Sequence, residues 1–134
     1  PGGKAGLFCH TPLVAVARNI GRKRALGMAL TGDAIDAATA ADWGLINKAV
    51  PLDQLEVSTL DLINRATRGG ALSKAWGKQT FYRQIDLPQD QAYALAGERM
   101  ATAALTPDGQ EGIRAFLEKR HPKYTQHPSG NDVI

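Results

Sequence analysis

Few of the 134 residues combine the type and the spacing that chemistry requires. Cys9 directly precedes His10, and an imidazole beside a thiol can lower its pKa and make it a nucleophile. No wider basic cluster surrounds that pair, so a structural thiol is the simpler reading. His10, His121 and His127 miss the H-x-x-x-H spacing that sets two imidazoles on one helix face, and a single cysteine allows no C-x-x-C. No metal is therefore expected. Neither a nucleophile elbow nor a glycine-rich phosphate loop is present, and Gly2-Gly3 and Gly69-Gly70 read as turns. Asp33 and Asp36, three residues apart, suit a turn and a helix cap better than a shared proton. Asp108 and Glu111 resemble a capping arrangement in a first helical turn, where the helix dipole favours acids. Taken alone, these residues form no catalytic set.

The elements that must position them are mostly helical. Thr11 and Pro12 suit the cap and first turn of a helix running to about Ile20 and stopped by Gly21. Arg22 to Leu30 predicts a second helix, with Ala25, Leu26, Ala29 and Leu30 at helical spacing and Thr31-Gly32-Asp33 as its break. Asp36 caps Ala37 to Trp43, Gly44 stops that helix, and Leu45 to Val50 alternates enough to predict one short strand before Pro51. Leu55, Val57, Leu60, Leu62 and Ile63 give an amphipathic helix to about Thr67, closed by Arg68-Gly69-Gly70. Ser73 to Ile85 and Gln89 to Leu105 follow as helices. The small residues Ala92, Ala96, Ala101, Ala103 and Ala104 suit close contact, in a core or in a subunit interface, with the core preferred. Thr106-Pro107-Asp108 opens a last helix expected over Gly109 to Arg120 and ended by His121-Pro122.

The succession of elements across Ala25 to Pro51 resembles the crotonase superfamily, the enoyl-CoA hydratase/isomerase group. Leu30-Thr31-Gly32, Ala37, Ala40, Gly44-Leu45-Ile46 and Val50-Pro51 carry the likeness. It extends upstream through Arg18-Asn19-Ile20-Gly21 and downstream to Asp108-Gly109-Gln110-Glu111-Gly112, covering roughly Pro1 to His121. Gly6-Leu7-Phe8-Cys9 and Lys78-Gln79-Thr80-Phe81-Tyr82 are similar to the enoyl-CoA hydratase domain-containing branch. The resemblance implies a mainly α chain, the C-terminal helical part of a crotonase (ClpP/crotonase-like ββα superhelix) fold, with one short strand near Leu45-Val50. Residues 1–50 would end the crotonase core, 51–122 would form a helical trimerisation region, and 123–134 would be a disordered tail. The family domain is about twice this length, so its N-terminal half is expected upstream of Pro1.

In that family two backbone N–H groups polarise a thioester carbonyl, and in hydratases two glutamates move the protons of the added water. The resemblance implies that the oxyanion donors and the first glutamate precede this chain. The second glutamate belongs to a P-E-x-x-x-G segment, matched here by Pro1-Gly2-Gly3-Lys4-Ala5-Gly6 with Gly2 at the acid's position. Glycine moves no proton, so no catalytic residue is expected in this chain, and the chain alone is expected to be inactive. Lys4, the nearest ionisable group, reads as a surface lysine. The family's F-x-x-K-R segment falls on Phe116 and Lys119, which implies a Lys119 contact with the CoA nucleotide; a solvated helix-end lysine is the alternative. Met100 stands where the family often has a phenylalanine beside adenine, and Leu7 and Phe8 would line the acyl side or pack in a core. The implied protein is an acyl-CoA enzyme without a cofactor, its substrate a coenzyme A thioester, assembled as a homo-trimer or hexamer. A non-catalytic acyl-CoA-binding or oligomerisation protein of the same fold is the alternative.

Composition agrees with these classes. Hydrophobic residues make up 43% and charged residues 22%, with no apolar run near the ~20 residues a bilayer span needs. A soluble protein of the cytoplasm, or of the mitochondrial matrix in a eukaryote, is expected. The net charge of +3 could aid the approach of an anionic ligand, but Arg18, Arg22, Lys23 and Arg24 most simply form a solvated helix end. With aromatics at 6% and no basic-aromatic platform, nucleic acid is not an expected partner.

Overall fold

The computed structural model describes residues 2–125, in two compact units, Pro1–Ser58 and Thr59–Ile134. Among the described residues all regular structure is helical. The first unit opens with a 3-10 turn over Gly2–Ala5, followed by α1 (His10–Ile20), α2 (Arg22–Thr31) and α3 (Ala37–Asp42). After a second 3-10 turn at Leu52–Gln54, α4 (Leu55–Ala66) runs across the boundary into the second unit. That unit continues with α5 (Ala71–Gln84), α6 (Gln89–Ala104) and α7 (Pro107–Leu117).

In the first unit α1 packs on α2. Leu13, Val16, Ala17 and Ile20 recur at helical spacing as the half-buried and buried face of α1, and Ala25 and Ala29 are the buried pair on α2. Leu26 and Leu30 lie one residue on from those alanines, about 100° round the helix, and both are exposed. Gly32 adopts the left-handed conformation at φ 62° and donates its N–H to Met28 O, as a glycine just past a helix end does. Asp36 caps α3 by accepting the Thr39 N–H at 2.7 Å, and this bond holds its carboxyl below the usual range. Arg24 lies 5.2 Å from the centre of the Trp43 ring, and Arg18 donates back to Val14 O. Two members of the basic helix end are thus already occupied.

Three expectations need correction. Helix α1 begins at His10 with Cys9 before it, so Thr11 is not its cap; Pro12 falls at the third helical position, where a missing N–H costs nothing. No strand forms over Leu45–Val50, because no second extended segment offers a ladder among the described residues. The last helix starts at Pro107 and ends at Leu117, three residues short of Arg120.

In the second unit α6 contacts α5 and α7. Ala92, Leu95, Ala96, Arg99 and Ala103 form its half-buried side, yet none of its residues is fully buried, so the alanine-rich helix is not a core element of the unit. Arg99 lies 4.7 Å from the centre of the Trp76 ring and reaches Gln79 at 3.5 Å. Helix α4 is amphipathic, but none of its residues is buried. Thr106 caps α7 by accepting the Gly109 N–H at 3.0 Å. Of the segment expected to be a tail, Lys123 and Thr125 are hydrogen-bonded to α7 side chains, and residues 126–134, including His127, lie outside the described residues.

Gly109 sits so close to the end of α6 that a Cβ would collide with the Ala103 carbonyl oxygen and crowd Thr106 Oγ1. Gly109→Ala is expected to lower stability by about 1–3 kcal/mol, because a backbone carbonyl cannot step aside as a side chain does. A thermal melt of the intact protein that matches the wild type would contradict this.

Candidate functional site

The turn after α7 holds the residue with the most specific expected role. Glu118 is the C-cap of α7, and Lys119 follows at φ 55°, the only non-glycine residue with positive φ among those described. The Lys119 N–H bonds Phe116 O at 3.2 Å, and the Arg120 N–H bonds Ala115 O at 3.0 Å. This pair of bonds makes a Schellman motif with lysine in the place usually taken by glycine, at a backbone cost of about 1–2 kcal/mol.

Arg120 ties the turn down. Its Nη1 and Nη2 donate to the two carboxylate oxygens of Glu111 at 2.6 and 3.0 Å, and its Nε donates to Glu118. Planar guanidinium and carboxylate match two bonds to two acceptors, which sets direction as well as distance. Glu111 Oε1 also accepts the Lys123 N–H at 2.8 Å. These bonds, the Arg120 fork first, lower the Glu111 pKa to about 2, and the two carboxylates raise that of Arg120. One turn away, Asp108 is only 5% exposed and accepts the Thr125 N–H at 2.9 Å. Asp108 keeps the first-turn position expected of it. Glu111, by contrast, turns to Arg120 instead of capping α7.

The Lys119 ammonium has no hydrogen bond or ion pair with any described residue, and its side chain is exposed. Beside it Phe116 is 81% exposed, and Met100 on α6 is 73% exposed. Leu7 is 75% exposed, and Phe8 packs edge-on against His10 with ring centres 5.2 Å apart. Lys4 is paired at the surface with Asp33 at 2.7 Å, a bond that lowers the Asp33 pKa. At Gly2 a Cβ would collide with Leu7 O and Cys9 Sγ, so this backbone leaves no room for any side chain at the position matched to the acid.

Recesses lie within each unit among the described residues. One of about 150 Å³ lies between α1 and α2, lined by Cys9, Leu13, Val16, Met28 and their neighbours. Another of about 320 Å³ is lined by Gly70, Trp76, Asp108 and Tyr124 among others, and an open one of about 370 Å³ runs past Glu111 and Arg120. None of them is lined by Leu7, Phe8, Met100 or Lys119. No group of three or more metal-ligating side chains occurs among the described residues, and no helix there is long and apolar enough to cross a membrane.

The sequence profile of the family described as "Enoyl-CoA hydratase/isomerase" matches residues 3–127. The chain belongs to the enoyl-CoA hydratase/isomerase family. The mouse enoyl-CoA hydratase domain-containing protein 3, mitochondrial, is 47% identical over 124 residues, 91% of this chain and 41% of that protein. A crystal structure of enoyl-CoA hydratase from Mycobacterium smegmatis superposes with a TM-score of 0.88 at 41% identity, over 91% of this chain and 48% of its own. The crystal structure of human enoyl-CoA hydratase domain-containing protein 3 gives the same TM-score and identity over 92% and 49%. The chain therefore spans about half the length of these relatives or less, and its helices are part of a crotonase fold.

The clamp on Arg120 escaped the sequence because Glu111 and Arg120 are nine residues apart, outside any spacing at which one helix face juxtaposes side chains. Only the reversal at Lys119 closes the gap.

Two predictions concern this enoyl-CoA hydratase/isomerase-family turn. Because the Glu111 carboxyl is depressed, its stabilising contribution is complete above about pH 4.5 and is lost as pH falls towards about 2. Glu111→Gln should flatten the acid limb of stability against pH in that window; an unchanged acid limb would contradict the assignment. Lys119→Gly, which relieves the left-handed backbone, should raise stability by about 1 kcal/mol, read as a higher Tm.

Proposed function

We propose that this chain forms the CoA-facing helical part of an acyl-CoA enzyme of the hydratase/isomerase family, acting on a thioester whose carbonyl is polarised by backbone donors outside the chain. The observation that carries this reading is Lys119: an exposed ammonium, uncommitted among the described residues, held on a left-handed backbone beside the exposed Phe116. A cation so placed is suited to a phosphate or the adenine of CoA, and Met100 is the proposed apolar neighbour of that adenine. Leu7 and Phe8 are assigned to the acyl side, outside the recess between α1 and α2. We further propose assembly as a trimer or a pair of trimers, supported by the exposed apolar residues Tyr93, Leu105, Phe116 and Leu117 of the second unit. The mitochondrial relatives support a matrix location in a eukaryote.

A second reading, binding of acyl-CoA without turnover, is favoured by Gly2. Neither the residue nor its surroundings admit an acid there, so the two-glutamate route to hydration is not available at this position.

Titration of the intact protein with CoA and assay with crotonyl-CoA separate the two readings. Lys119→Ala is expected to weaken CoA binding about tenfold, the size of one charge-assisted contact, and to weaken dephospho-CoA binding less if the 3′-phosphate is what the ammonium meets. Undiminished CoA affinity would remove Lys119 from the site. Binding without hydration supports the second reading; hydration at ordinary enzyme rates would show that Gly2 does not prevent it.

A further inference from the structure

We infer that Glu111 and Arg120 are positioning residues for Lys119, forming a clamp that both holds its left-handed turn and keeps the neighbouring carboxylates from capturing its ammonium. This inference rests on the reading of Lys119 as a CoA contact.

Two observations carry it independently of each other. A lysine in the left-handed region persists only where its surroundings over-determine the backbone. Here the residues on either side of Lys119 are joined to each other through Arg120 Nε and Glu118, while Arg120 is anchored on α7 by both prongs of its fork. The chain beyond is stitched to the same carboxylate by the Lys123 N–H. The turn around Lys119 is thus closed on three sides, and its own side chain is the part left outside.

Charge makes the second argument. Glu118 is adjacent to Lys119 and Glu111 faces the same turn, so an ammonium there has two carboxylates that it could pair with at the surface. Arg120 takes both. With three of its five N–H groups directed at carboxylates and Nη1 also reaching the His121 carbonyl at 3.3 Å, the guanidinium has little left for a ligand, whereas the lysine beside it has its whole hydrogen-bonding capacity free among the described residues. The division of labour is therefore between a structural cation, Arg120, and a recruiting cation, Lys119.

The test is a double-mutant cycle on CoA affinity in the intact protein, with Glu111→Gln and Arg120→Gln each made alone and in a Lys119→Ala background. Glu111→Gln is informative because it removes a negative charge: simple electrostatics makes CoA, an anion, bind more tightly, whereas loss of the clamp makes it bind roughly tenfold more weakly. In the Lys119→Ala background both substitutions are expected to change affinity by less than about twofold. Tighter or unchanged binding in Glu111→Gln overturns the clamp, as does an equal loss in both backgrounds, which would mark Arg120 as a direct ligand or the turn as merely structural. If Lys119→Ala alone leaves affinity unchanged, the CoA reading fails first and the clamp's role in binding falls with it. Should Glu111→Gln fold poorly, Arg120→Lys, which keeps the charge but loses the fork, is expected to give the same background-dependent loss.

Discussion

Burial confined mostly to small side chains is the constraint on which the described structure depends. Four of the six apolar residues buried among the described residues are alanines, Ala25, Ala29, Ala40 and Ala115, joined by Ile20 and Leu72. Small side chains let helix backbones near one another but remove little apolar surface from water, each methyl contributing a fraction of what a leucine does. Large apolar groups such as Leu60, Phe81, Leu105 and Phe116 are exposed instead. Within each unit, then, the path of the chain is set less by a large core than by what happens at the helix ends: Gly32 and Asp36 in the first unit, Thr106 and the turn at Lys119 in the second.

That division explains what could be read from the residues. Helix caps are local events, and the roles of Asp36, Thr106 and the glycine break at Gly32 follow from side-chain chemistry within four residues. The α2 face was legible as a repeat, but which side of it would be covered was not: Ala25 and Leu26 have similar helical credentials, and only packing against α1 selects the alanines. The strand expected at Leu45–Val50 fails for a related reason, since alternation describes a segment's readiness to pair and says nothing of whether a partner is at hand. Threonine favours the cap position, which points to Thr11, yet Pro12 tolerates any position in the first turn and so does not locate the start at His10.

The candidate site was legible only in part. Lys119 was located by likeness of its surroundings to a family segment, not by anything its own type and spacing could demonstrate. Its conformation is out of reach, since lysine at positive φ runs against propensity and the ion pair beside it joins two residues nine apart. Propensity arguments fail most where long-range bonds outweigh them, and such places are where strain and function tend to coincide.

The crowding at Gly2 also bears on how the protein can change. Every glycine codon lies a single base from a codon for aspartate or glutamate, so genetically an acid at this position is close at hand. Structurally it is remote, because the carbonyl of Leu7 and the sulfur of Cys9 occupy the space where its first carbon would stand. An acid at Gly2 therefore requires the segment from Gly2 to Cys9 to be rebuilt together, a change that selection acting on one residue at a time does not reach in a single step.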